Sequence, residues 1–109
     1  ILYDFGDLVR SFSNKTIEDS KTDNNCFEPG VYESLMSGYL SVGKQFMSKE
    51  EDEGLGLAAM TVSLIQSLRF LTDYLNLDIY YKVAETDQNL NRAINQFSFF
   101  KEIKEYLSL

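Results

Sequence analysis

Hydrophobic positions fall into blocks separated by polar stretches, and the spacing inside each block predicts its form. Val31, Tyr32, Leu35, Met36, Tyr39 and Leu40 recur at offsets of one, three and four, the signature of an amphipathic helix. Pro29 suits the first turn of that helix, where its missing N–H has no intrahelical partner to lose, and Gly43 marks its fading end. Ser48-Lys49-Glu50-Glu51 has the Ser-x-x-Glu spacing of a capping box, with Phe46 and Met47 placed to pack on the first turn. The pattern predicts one long helix from there to about Leu75, apolar on nearly every side from Leu57 onward, as for a helix buried among others. Gly54 and Gly56 weaken its start by about 1 kcal/mol each against alanine, so a bend or frayed turn is expected there. A last stripe of Leu90, Ala93, Ile94, Phe97, Phe100, Ile103 and Leu107 predicts a helix from about Gln88 to Tyr106.

The polar stretches supply the connections. Residues 11–25 combine serine, asparagine, aspartate and lysine and read as an exposed, mobile loop. Asn76-Leu77-Asp78 is expected to stop the long helix, and Ile79-Tyr80-Tyr81-Lys82-Val83 to run extended. Near the start, Asp7 is expected as the N-cap of a short helix through Leu8, Val9 and Arg10. The fold class is therefore all-α: three main helices and a short leading one, with a hairpin-like connection near Tyr80.

Composition narrows the function. The chain has 109 residues, 44% hydrophobic and 14% aromatic, which favours one folded domain or part of one over disorder. A net charge of −7 argues against a nucleic-acid partner, and no polybasic patch invites a membrane surface. The longest apolar run is expected to be too short to span a bilayer, and no signal-peptide pattern is expected. With no histidine and one cysteine, the usual zinc spacings and histidine-dependent triads are excluded. Cys26 has no partner for an internal disulfide, which fits a cytoplasmic location. The opening Ile1-Leu2-Tyr3 carries no methionine and no polar lead-in, so the chain is expected to be a fragment, residues 1–109 forming a partial subdomain. Apolar surface bared by such a cut is expected to make it a homo-oligomer.

Few tripeptides carry chemistry by themselves. Asp4-Phe5-Gly6 matches the metal-binding tripeptide of protein kinases, but no His-Arg-Asp loop precedes it, and a capped turn explains it better. Cys26 lacks the proline and arginine spacing of a sulfatase nucleophile and reads as a small buried hydrophobe. Glu50, Glu51, Asp52 and Glu53 form a solvated run at a helix N-terminus. Arg69 and the tyrosines near Tyr80 allow two readings. One is an Arg69–Asp73 ion pair at helical spacing with tyrosines packed in the core; the other is a site whose guanidinium and phenol meet a polar ligand.

Five blocks fall in one order: Leu2-Tyr3-Asp4-Phe5-Gly6-Asp7-Leu8-Val9-Arg10, Gly38-Tyr39-Leu40, Arg69-Phe70-Leu71-Thr72-Asp73-Tyr74-Leu75, Asp78-Ile79-Tyr80-Tyr81-Lys82 and Asn89-Leu90-Asn91-Arg92. Together they resemble the C-terminal helical part of the N-acetylhexosamine 1-kinases, within the aminoglycoside phosphotransferase and choline kinase-like superfamily. The resemblance implies the C-terminal helical subdomain of a protein-kinase-like fold. It implies a parent that transfers the γ-phosphoryl group of ATP to the anomeric hydroxyl of an N-acetylhexosamine, using Mg²⁺. Catalytic and metal-binding residues of that family lie in segments absent from this chain, so no catalytic, metal or cofactor residue is expected here. Arg69 and Tyr80 match family contacts to the sugar, and Asp4 matches an aspartate that braces the catalytic loop. Asp7 and Asp73 are expected as structural residues. The alternatives are a non-catalytic helical scaffold or interaction domain, or a sibling kinase acting on another sugar or an amino alcohol.

Overall fold

A computed structural model describes residues 2–16 and 26–109. Most of the expected loop, residues 17–25, lies outside the described residues. Among the described residues the fold is all-α, a bundle of five helices with no strand. Its helices are α1 (Leu2–Phe12), α2 (Pro29–Gly43), α3 (Lys49–Glu53), α4 (Leu55–Leu75) and α5 (Gln88–Tyr106). A 3-10 turn, Lys44–Phe46, follows α2.

Helix α4 is the centre, with α1 and α5 packed along it. Phe5 and Val9 of α1, Leu55 and Ala59 of α4, and Phe99 and Ile103 of α5 are fully buried in one cluster. Gly6 explains why α1 lies so close. A methyl group there would stand 2.7 Å from the Ala58 carbonyl oxygen and 2.7 Å from Val62 Cγ2, so the crossing needs a residue without a side chain. The glycine of Asp4-Phe5-Gly6 thus serves a helix contact.

Helix α2 begins at Pro29 and ends at Gly43, as its spacing predicts. It packs more lightly, through Tyr32 on Phe27 and Tyr106 and through Tyr39 on Phe5. Ser48 and Glu51 form the expected capping box, the Glu51 N–H donating to Ser48 Oγ at 3.1 Å and the Ser48 N–H to Glu51 Oε1 at 3.0 Å. The expected long helix is interrupted at Gly54, which separates α3 from α4.

Four expectations are corrected. Asp7 is not an N-cap: α1 already begins at Leu2, because Leu2, Phe5, Gly6 and Val9 give it a core-facing side. Asp7 lies within the helix, and Arg10 Nε donates to its Oδ1 at 2.8 Å. The inner face of α5 is rotated from the predicted stripe. Asn89, Asn95, Gln96 and Ser98 are buried, while Phe97 faces solvent, stacked on Phe100 with Lys101 over its ring. The buried amides are hydrogen-bonded: Asn14 donates to Asn95 at 2.8 Å, Asn95 to Thr16 at 2.7 Å and Arg10 to Gln96 at 3.4 Å. Cys26 is buried but not a mere hydrophobe, as its thiol donates to Glu102 Oε2 at 2.9 Å. Finally, α4 is long and apolar enough, by length and composition alone, to cross a membrane. Its inward residues, serines 63 and 67 among them, pack against α1 and α5.

Candidate functional site

The C-terminal end of α4 places Thr72 and Asp73 one turn after Arg69, and the helix gives way at Asn76. Leu77 and Asp78 then adopt left-handed backbone, with φ of 68° and 61°. For residues other than glycine this conformation costs roughly 1–2 kcal/mol each. Asp73 holds the chain there. Its backbone carbonyl accepts the Asp78 N–H at 2.8 Å. Its carboxylate accepts the N–H of Tyr80 at 2.7 Å and of Tyr81 at 2.9 Å.

Helix α5 completes the turn. The buried Asn89 amide donates to Asp73 Oδ2 at 2.9 Å and to Asp78 Oδ1 at 3.1 Å. Arg92 donates to Asn89 Oδ1 at 2.9 Å and to the Lys82 carbonyl at 3.0 Å, with its guanidinium 5.7 Å from the Phe70 ring centre. Asp73 is only 6% exposed. Burial pushes its pKa up, but the N–H groups of Tyr81 and Tyr80, the Asn89 amide and the Ile79 N–H outweigh that and hold it below the ordinary value.

The turn and the helix end enclose an open cleft of about 640 Å³. Ile65, Leu68, Arg69 and Thr72 line it from α4, and Asn76, Tyr80 and Tyr81 from the turn, with Asp73 between them. Tyr81 packs on Phe70 with ring centres 4.7 Å apart, and its hydroxyl accepts from Gln66 Nε2 at 3.3 Å. Tyr80 stands edge-on to Tyr81, 82% exposed, its backbone fixed and its phenol open to solvent. Arg69 is exposed, and its guanidinium makes a long contact of 3.4 Å to the Tyr3 hydroxyl.

The structure therefore brings Arg69 and Tyr80, eleven positions apart, to one cleft. The alternative Arg69–Asp73 ion pair does not form, because the Asp73 carboxylate is turned to the backbone of the Tyr80 turn. Asp4 is exposed in the first turn of α1, where its charge suits the positive helix end, and neither it nor Asp7 lines the cleft. Sequence reasoning misses Thr72, Asn76 and Tyr81 as lining residues, and Asn89 and Arg92 as supports. Their signals are the helix-stopping Asn76-Leu77-Asp78 and the blocks that hold Thr72, Tyr81, Asn89 and Arg92.

The cleft offers a guanidinium, an amide, a hydroxyl and aromatic surface, while its carboxylate is already engaged. That set suits a ligand with oxygen acceptors and an apolar face. Among the described residues, no group of three or more aspartate, glutamate, cysteine or histidine side chains stands together to hold a metal ion. No protein-family model matches the chain.

Proposed function

We propose that this chain forms part of the acceptor wall of an ATP-dependent sugar kinase, one that phosphorylates the anomeric hydroxyl of an N-acetylhexosamine. The observation that carries the reading is that Arg69 and Tyr80, the two residues assigned to the sugar by resemblance, line one cleft on a backbone that Asp73 makes rigid. Arg69 donates to hydroxyl or acetamido oxygens, the Tyr80 phenol does the same, and the tyrosine rings cover the apolar face of the sugar. Held in this way, the acceptor hydroxyl is presented to the γ-phosphorus, which is the positioning that phosphoryl transfer requires. The residues of the cleft do not fit Mg²⁺, so the base, metal and phosphate contacts belong to other parts of the parent, and Asp4 braces one of them. A sibling kinase for cationic amino alcohols fits less well, because the cleft carries a guanidinium and its one carboxylate is occupied.

In the full-length protein, Arg69→Ala and Tyr80→Phe are expected to raise the sugar KM and leave the ATP KM unchanged. Loss of a charged hydrogen bond corresponds to about 2–3 kcal/mol, and of a neutral one to about 1 kcal/mol. Wild-type sugar KM in both variants overturns the acceptor reading. The exposed leucines on α4 favour a second reading, a non-catalytic interaction domain. A catalytic-loop aspartate encoded upstream, with an asparagine five residues on and an Ile-Asp-x-Asp segment after it, decides for the kinase.

A further inference from the structure

The two neighbouring tyrosines of the cleft are held very differently. The phenol of the exposed Tyr80 makes no hydrogen bond among the described residues, so only its backbone is fixed. Tyr81 is fixed from end to end. Asp73 accepts its N–H at 2.9 Å, and Gln66 Nε2 donates to its hydroxyl oxygen at 3.3 Å. Between them, Phe70 and Tyr80 pack against its ring, with centres 4.7 and 4.9 Å away. Phe70 is itself buried, so the Tyr81 ring rests on the core and not on another mobile side chain.

The Gln66 contact sets the sense of the hydrogen bond that Tyr81 can offer. An amide N–H can only donate, so the phenol oxygen uses a lone pair on it and keeps its own proton. Among the described residues nothing accepts that proton. With the ring packed against its neighbours, the hydroxyl is what Tyr81 has left to present to the cleft it lines. A ligand oxygen that accepts from it satisfies a half-buried phenol. Because Tyr81 is already ordered, the new bond takes little side-chain freedom from it, whereas the Tyr80 phenol must first be immobilised.

We propose that Tyr81 donates a hydrogen bond to a hydroxyl or carbonyl oxygen of the ligand, and fixes that oxygen more firmly than Tyr80 does. The assignment rests on the acceptor reading and adds a residue to which the resemblance gives no role. Gln66, which does not line the cleft, is a positioning residue for the phenol. In the full-length protein, Tyr81→Phe keeps the ring and removes only the hydroxyl, so melting followed by circular dichroism should stay close to wild type. Sugar KM is expected to rise about tenfold, against about fivefold in Tyr80→Phe, with ATP KM unchanged. Gln66→Leu removes the same internal hydrogen bond but leaves the hydroxyl in place, and is expected to raise sugar KM no more than about twofold. Wild-type sugar KM in Tyr81→Phe overturns the proposal, as does a larger rise in Tyr80→Phe. An equal rise in Tyr81→Phe and Gln66→Leu also overturns it, because the hydroxyl then only holds the cleft in shape. The two readings fail separately. If Arg69→Ala and Tyr80→Phe raise sugar KM and Tyr81→Phe does not, Tyr81 alone loses its role; wild-type sugar KM in all three variants removes the acceptor reading as well.

Discussion

Asp73 and Glu102 are carboxylates that each gather backbone N–H groups from a segment without regular structure, and they do so over very different distances along the chain. Asp73 takes the N–H groups of Tyr80 and Tyr81, seven and eight residues on, and fixes the turn that forms the cleft. Glu102 takes those of Cys26 at 3.0 Å and Phe27 at 3.1 Å, 76 and 75 residues away, together with the Cys26 thiol. The first is a local device that can form once α4 ends. The second closes a long loop and depends on α5 being in place, so its formation is coupled to the whole bundle. Each satisfies part-buried donors of an irregular segment. The cleft is thus shaped locally, while the opposite end of the bundle is fastened by topology.

Removing each carboxylate in turn tests that division. Asp73→Ala is expected to have the largest effect, because two part-buried N–H groups lose their acceptor and the Asn89 amide loses one of its two, while Leu77 and Asp78 stay strained. The melting temperature should fall furthest in this variant, and amide exchange at Tyr80 and Tyr81 should accelerate far more than exchange in α1. Protonation offers a gentler version. The folded-state pKa of Asp73 lies below the ordinary 3.8, so its stabilisation is fully present above that value. It is lost as pH falls through the folded pKa, and the gap in melting temperature between wild type and Asp73→Ala is expected to close with it. A gap that stays constant down to strong acid contradicts this role for the carboxylate.

Glu102→Ala comes next, at about 2–3 kcal/mol by denaturant titration, for a charged acceptor lost from partly buried donors. A second readout separates it from general loosening. Burial first, then the Glu102 hydrogen bond and charge, push the Cys26 thiol from 9.0 up to about 12. Glu102→Gln should lower the pH at which the thiol becomes reactive, yet leave it above 9.0 because burial remains. The smallest effect belongs to a third, solvated carboxylate. Glu51 accepts the Ser48 N–H at the surface, and Glu51→Ala is expected to cost about 0.5 kcal/mol, measured in the same titration.

Legibility in the sequence follows the same divide between local and distant. Pro29, Gly43, the Ser48 capping box and the bounds of α5 are readable because each signal lies within a turn of what it controls. The start of α1 is harder to place, because Asp7 has the chemistry of a cap and competes with the inward spacing of Leu2, Phe5 and Val9. An Arg69–Asp73 pair is suggested by helical spacing, which says nothing about a chain that folds back onto the carboxylate. The buried Asn95 and Gln96 escape notice because a hydrophobic pattern has no means of showing polar groups that satisfy one another. Of the cleft, Arg69 and Tyr80 are legible through resemblance, while Asn76 and Tyr81 need the path of the turn.

The turn also bears on how this surface can evolve. Asp73 grips main-chain N–H groups, which every residue except proline supplies, and the side chains of Leu77, Ile79 and Tyr80 point largely into water. Substitutions at Ile79 and Tyr80 therefore cost the fold little, whereas Leu77, with φ of 68°, disfavours β-branched residues. Tyr80, the one of the three that lines the cleft, can thus change the character of that surface while the carboxylate beneath it keeps the turn in place.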